Sequence, residues 1–261
     1  MLGVSFYRRI ADNRFEATPY TRGPWDARSQ HAGPPAALLG RAVERQVGRD
    51  DMRVARLTFD IVRPVPVGRL TVSTRVVHAG RSVAIAEAEL VPDGEPTAMR
   101  VTAMLIRTAA EVAPAVAYDG APEFPGAGGE QPFFPVPYDI GYHTAMEYRF
   151  TAGSFLDPGP ATCWMRMRVP LVDEEEPSPL TRVLVAADSG NGVSSVLDWR
   201  QHLFINPDLT VHLHRYPAGE WVCLDARTWI DPDGVGLTET ALSDRAGPIG
   251  RAAQSLFVAS R

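Results

Sequence analysis

An internal repeat constrains this chain more than any other feature. The run Leu57-Thr58-Phe59-Asp60-Ile61-Val62-Arg63-Pro64 returns as Leu209-Thr210-Val211-His212-Leu213-His214-Arg215-Tyr216, with the same Leu-Thr start, alternating apolar face and Arg. Val67-Gly68-Arg69-Leu70 is echoed by Ala218-Gly219-Glu220-Trp221, and Arg100-Val101-Thr102-Ala103-Met104-Leu105 by Arg251-Ala252-Ala253-Gln254-Ser255-Leu256. A solenoid needs at least three stacked units, so two copies point to a duplicated domain whose halves pack as a pair.

Each copy reads as one apolar helix and a set of strands. Pro34 and Pro35 suit the first turn of a helix, and Ala36, Ala37, Leu38, Leu39, Ala42 and Val43 make an apolar run that extends to about Val47. Period-two segments follow at Val54–Val62, Leu70–Val77, Val83–Val91 and Met99–Arg107, separated by turn residues such as Asp93-Gly94. In the second copy a strand is expected over Ala161–Val172, an apolar helix over Leu180–Ala187, and strands over Leu209–Arg215, Trp221–Trp229, Gly236–Ser243 and Arg251–Ala259. One helix followed by antiparallel strands predicts an α+β fold, a sheet wrapped around a central helix, made twice. The expected division is 1–110, a linker over 111–145 rich in Pro122, Pro125, Gly126, Gly128, Gly129, Pro132, Pro135 and Pro137, and 146–261. Ser178 is the expected N-cap of the second helix, with Glu174–Glu176 a solvated approach to it.

Composition removes several chemistries. All 26 basic residues are Arg, so Schiff-base lysines, a Walker A lysine and a Ser-Lys dyad are excluded. A net charge of -5 and no basic stripe argue against a nucleic-acid partner. No stretch of about 18 apolar residues marks a membrane span, and no cleavable apolar leader is seen, so a cytoplasmic protein without membrane partners is expected. Cys163 and Cys223 lack metal-ligand spacing and read as buried small hydrophobes. His212 and His214 share a strand face without partner ligands, so no metal and no cofactor is expected. No G-x-S-x-G, G-x-G-x-x-G or H-E-x-x-H motif occurs.

A few residues break the pattern. Strand parity aims Gln254 at the core, with Ala252, Leu256 and Val258 on its own face, where the first copy has Ala103. A buried amide without partners costs about 1–3 kcal/mol, so Gln254 is either a satisfied structural group or part of a site. Asp188 ends the apolar helix before Ser189-Gly190-Asn191-Gly192, either as a solvated turn carboxylate or as a base. Asn206, before Pro207, is a turn residue unless it faces Asp188. His31 and Gly33 precede a helix N-terminus whose backbone N–H groups are suited to a carbonyl or phosphate, though His31 reads equally as a plain loop histidine.

The Gly-Pro-Trp and His31-Ala32-Gly33-Pro34-Pro35-Ala36-Ala37-Leu38-Leu39 runs, followed by a duplicated one-helix sheet unit, resemble the acyl-CoA thioesterase II family. That resemblance implies a double hotdog fold and hydrolysis of acyl-CoA by a water held by an Asp, a Thr or Ser, and a Gln of the second unit. It carries these roles to Asp188 and Gln254, while the hydroxyl position falls on Asn206. Thr210, the nearest threonine, is a substrate-side candidate but matches Thr58 of the repeat. The resemblance further implies backbone N–H groups that polarise the thioester carbonyl, an apolar acyl tunnel touching Leu184, Val196 and Leu197, and a homo-oligomer. Its alternative is a paralogue that binds the thioester without turnover.

Overall fold

The computed structural model describes residues 4–110, 112–116, 120–126, 133 and 135–261. The repeated strands meet each other. β3 (Met52–Ile61) and β10 (Asp208–Leu213) pair antiparallel, with Thr210 opposite Thr58, Leu209 opposite Phe59 and Val211 opposite Leu57. Only Thr58 meets its own copy, Thr210, and the equivalents on either side diverge along the antiparallel pair, so a pseudo-two-fold axis passes through the Thr58–Thr210 pair.

Around that axis the described strands form one antiparallel sheet. The first half adds β1 (Tyr7–Ala11), β2 (Arg14–Ala17), β4 (Arg69–Ala79), β5 (Val83–Pro92) and β6 (Met99–Arg107). The second half adds β7 (Met146–Ala152), β8 (Ala161–Met167), β9 (His202–Ile205), β11 (Val222–Ile230), β12 (Val235–Asp244) and β13 (Gly247–Ser260). Their order is β1-β2-β4-β5-β6-β3-β10-β13-β12-β11-β8-β7, with β9 paired to β13 off this path. Read outward from the axis, β6, β5, β4, β2 and β1 mirror β13, β12, β11, β8 and β7. This is the duplicated unit expected from the repeat, two hotdogs in tandem.

Helices α1 (Gly33–Val47) and α3 (Pro179–Ala187) fill the concave side. Ala36, Ala37, Leu38, Leu39 and Val43 of α1 and Leu180, Val183, Leu184, Val185 and Ala187 of α3 have no exposed surface, because each helix packs on its own strands and on the other helix. Glycine permits that close approach. A Cβ on Gly33 would lie 2.3 Å from the Val185 carbonyl oxygen, and one on Gly40 would lie 2.3 Å from Leu184 Cδ1. The helices run antiparallel, so the start of α1 meets the end of α3.

Ser178 caps α3 by accepting from the Thr181 N–H at 3.2 Å. The acidic approach is not simply solvated: Glu175 pairs with Arg41 at 2.7 Å and Arg45 at 3.0 Å. Those arginines lie on the neighbouring helix, and its proximity is a tertiary fact. Cys163 and Cys223 are free and buried.

The linker is more structured than its composition predicts. Gly128, Gly129 and Pro132 lie outside the described residues, but Phe124 packs edge-on to Trp164 and Trp221 at 5.2 and 5.0 Å. Its end forms α2 (Tyr142–Ala145), where Tyr142 and Ala145 are buried. Strand β7 lies outside the expected strands, although Met146, Tyr148 and Phe150 carry a period-two face. β8 ends at Met167, short of the expected Val172, since the Arg168 N–H turns to the Ala145 carbonyl at 2.8 Å.

Candidate active site

The end of α3 delivers a carboxylate into a closed space. Asp188 is the C-cap of α3 and is 4% exposed. The chain then turns into α4 (Gly190–Val193), which lies over β12 and β13. Gly190 is required here, since a Cβ would sit 2.5 Å from Thr240 Oγ1 and 2.9 Å from Gln254 Oε1.

Gln254 points inward from β13, as parity predicts, and is 1% exposed. Its Nε2 donates to the Asp188 backbone oxygen at 3.1 Å and to carboxylate Oδ1 at 3.4 Å, while its Oε1 accepts from the Asn191 N–H at 3.2 Å. The buried amide is thus satisfied by the segment that carries Asp188. Asn206, between β9 and β10, donates from Nδ2 to Asp188 Oδ1 at 2.8 Å and to the Asp208 carbonyl at 3.2 Å. Two side-chain amides therefore hold one carboxylate oxygen, leaving Oδ2 for other partners.

That second oxygen faces the first half of the molecule. His31 Nδ1 lies 3.0 Å from Asp188 Oδ2. The Gly33 N–H also points at Nδ1, 3.1 Å away. One nitrogen cannot donate to the carboxylate and accept from Gly33 at once; we assign the proton to Nδ1, because a carboxylate attracts it more strongly than an amide N–H needs an acceptor. Nε2 then keeps its lone pair. Burial lowers the imidazole pKa below its ordinary 6.5, with the Asp188 charge opposing, so the ring is neutral at neutral pH.

Tyr142 fixes the ring from behind. The His31 and Tyr142 rings stack with centroids 3.7 Å apart and planes 9° apart. The Tyr142 hydroxyl donates to the Val185 carbonyl at 2.7 Å and lies 2.9 Å from Ser189 Oγ. Burial pushes its pKa far above the usual phenol range, so it remains a neutral donor. No spacing in the sequence marks Tyr142, because its role depends on α2 folding back to the α1–α3 junction. Beneath α4 a ladder of hydroxyls runs from Ser194 to Thr228 at 2.7 Å and on to Thr238 at 2.8 Å.

Of the residues expected at a site, Asp188, Asn206, Gln254 and His31 come together. Two do not serve as expected. Thr210 lies on the opposite face of the sheet, because Leu209 and Val211 on either side of it are fully buried and parity turns Thr210 outward. The α1 N-terminus offers no row of donors to a ligand: Pro34 and Pro35 have no N–H, and the Ala36 N–H is bonded to the Ala32 carbonyl at 3.0 Å. Gly33 acts through its missing side chain, which lets α1 touch α3. Leu184 is likewise fully buried and packed at that contact, against Gly40. His212 and His214 are exposed on the outer face. Among the described residues no group of three His, Cys, Asp or Glu could hold a metal ion, and no helix is long and apolar enough to cross a membrane.

The family model described as acyl-CoA thioesterase C-terminal domain matches residues 115–258, and that described as acyl-CoA thioesterase N-terminal domain matches residues 21–106. Among solved structures, a Thermobifida fusca YX protein described as a candidate thioesterase II shares 19% identity at a TM-score of 0.76, covering 98% of this chain and 97% of its own. A hot dog fold protein from Alicyclobacillus acidocaldarius shares 17% at 0.70, covering 97% and 95%. The acyl-CoA thioesterase II TesB2 from Mycobacterium marinum shares 14% at 0.64, covering 98% and 94%. A comparison with curated proteins finds no match.

Proposed function

This chain belongs to the acyl-CoA thioesterase family, and from that membership we propose that it hydrolyses acyl-CoA thioesters by direct attack of water activated at Asp188. The observation that carries the reading is the convergence on one buried carboxylate of Asn206 at 2.8 Å, Gln254 at 3.4 Å and His31 at 3.0 Å, from separate elements of both halves. Such a carboxylate, held in one rotamer and closed from bulk water, is prepared to accept a proton without reorganising.

In this mechanism a water beside Asp188 Oδ2 attacks the thioester carbonyl carbon. Its proton passes to the Asp188–His31 pair as the carbon–oxygen bond forms. The tetrahedral intermediate collapses with cleavage of the carbon–sulfur bond, and the coenzyme A thiolate leaves and takes up the proton. Asn206 and Gln254 position the carboxylate, and the Asn206 carbonyl oxygen is available as a further acceptor for the water. No covalent acyl-enzyme is needed.

A second reading is binding without turnover. It draws on Asn206, which stands where the family resemblance expects a hydroxyl and whose donors go to Asp188 and Asp208. Thiol release from acyl-CoA esters separates the two. The first reading expects release by the native protein, with strong loss in Asp188→Asn and Gln254→Ala at unchanged circular dichroism. Tight binding with no release from any ester would establish the second.

A further inference from the structure

An aromatic bowl of about 450 Å³ is built from segments that adjoin the Asp188 cluster in the chain. Trp25, Phe155, Leu197, Trp199 and Phe204 supply its walls, and Gly192 its inner edge. Gly192 follows Asn191, whose N–H holds Gln254. Phe204 and Asn206 are alternate residues leading out of β9, so Phe204 precedes by two positions the side chain that holds Asp188. The bowl is continuous along the chain with the proposed catalytic cluster on two sides.

Its walls are stiff. Trp25 stands edge-on to Phe204 with centroids 5.4 Å apart. Phe155 is backed by edge-on contacts to Phe133, Tyr148 and Phe150 at 4.6, 5.0 and 4.9 Å. Arg200 and Arg261 pack over the Trp199 and Trp25 rings at 5.2 and 5.5 Å. The region where a long chain would otherwise run, between the helices and the sheet, is filled. Leu39, Leu57, Leu184, Val211 and Ile249 there have no exposed surface.

We propose that this bowl receives the acyl group and selects aromatic or short acyl thioesters over long linear ones. The inference rests on the thioesterase reading and names its substrate class. Rigid rings set at angles to one another present edges and faces to a planar guest, which gains from stacked and edge-on contacts that a flexible chain does not make. A flexible chain also loses rotamer freedom on ordering. The nucleotide end of coenzyme A is a poor occupant, because Asp198 offsets Arg200 in the lining and leaves only Arg261, over the Trp25 ring, against the several negative charges of its phosphates.

The test uses the intact protein with acetyl, phenylacetyl, octanoyl and hexadecanoyl groups, each carried on coenzyme A and on N-acetylcysteamine. Thiol release gives kcat/KM, and tryptophan fluorescence gives Kd for the matching non-hydrolysable thioethers. The expected result is highest kcat/KM and tightest binding for phenylacetyl on either carrier. Phe204→Leu or Trp199→Leu should lower the phenylacetyl value by about tenfold and the acetyl value far less. Values that rise with chain length to hexadecanoyl would overturn the substrate class while leaving the thioesterase reading intact. Equal losses for every coenzyme A ester, with none for N-acetylcysteamine esters, would place the nucleotide in the bowl and overturn the proposal. Absence of thiol release from all esters would overturn the thioesterase reading, and the thioether binding series would still decide what the bowl holds.

Discussion

Asn206 Nδ2 lies 2.8 Å from Asp188 Oδ1, joining the turn before β10 to the end of α3. The contact turns a residue with an ordinary turn signature into a holder of the proposed base. A hydrogen bond to a charged group contributes about 1.5–3 kcal/mol. Asn206→Ala frees the carboxylate to rotate, and kcat is expected to fall by about tenfold or more with KM little changed. Steady-state thiol release checks this; an unchanged kcat would remove Asn206 from the machinery.

Asp188→Asn preserves the size of the side chain and removes its capacity to take a proton. General-base assistance contributes about 10²- to 10⁴-fold, so turnover should drop by that order while thermal unfolding stays close to native. Native-like turnover would eliminate Asp188 as the base.

The rate should also depend on His31. Burial holds its pKa below the ordinary 6.5, against the pull of Asp188. Between the folded value and 6.5 the unfolded chain binds more protons, so this group's stabilising contribution is present above pH 6.5 and is lost as pH falls through the folded value. Activity that needs a neutral imidazole falls in the same direction. His31→Gln is expected to flatten the acid limb of the kcat/KM profile; retention of that limb would assign it to another group.

Glu44 works with the opposite sign. Burial raises its pKa above the ordinary 4.5, opposed by hydrogen bonds from the Ser178 and Tyr216 hydroxyls at 2.7 and 3.1 Å. Its contribution is therefore present below pH 4.5 and lost as pH rises through the folded value, so its ionised form is a burden at neutral pH. Glu44→Gln should raise Tm by ~2–4 °C at pH 7 and by little at pH 4. Equal shifts at both pH values would contradict this account.

Gly33→Ala tests the helix junction. The new Cβ would meet the Val185 carbonyl oxygen at 2.3 Å and His31 Nδ1 at 3.2 Å, and the carbonyl belongs to backbone that cannot rotate away. Overpacking of this kind costs about 1–3 kcal/mol. Chemical denaturation should show that loss, and turnover should fall with it because His31 is displaced from Asp188. Full stability and activity would show that α1 can shift freely.

Much of this architecture could be read from residue order. The repeat is legible because the halves bury equivalent faces, and period-two alternation marks strands because successive side chains leave a sheet on opposite sides. The same parity aimed Gln254 inward and, applied to Leu209 and Val211, turns Thr210 outward. The α1 helix begins and ends where Pro34 and Gly48 allow, since one lacks an N–H and the other adopts φ +56°.

The tertiary structure decided which of these residues meet. Asp188, Asn206 and Gln254 are far apart in sequence, and no local spacing encodes their distances. His31 reaches Asp188 only because two glycines let the helices touch in antiparallel order, and Tyr142 reaches His31 only because a segment with a linker's composition folds back into α2. Local propensity and periodicity depend on neighbours along the chain, so sequence alone determined the elements and their buried faces. A catalytic constellation depends on the packing of distant elements, and here that packing set the partners of Asp188.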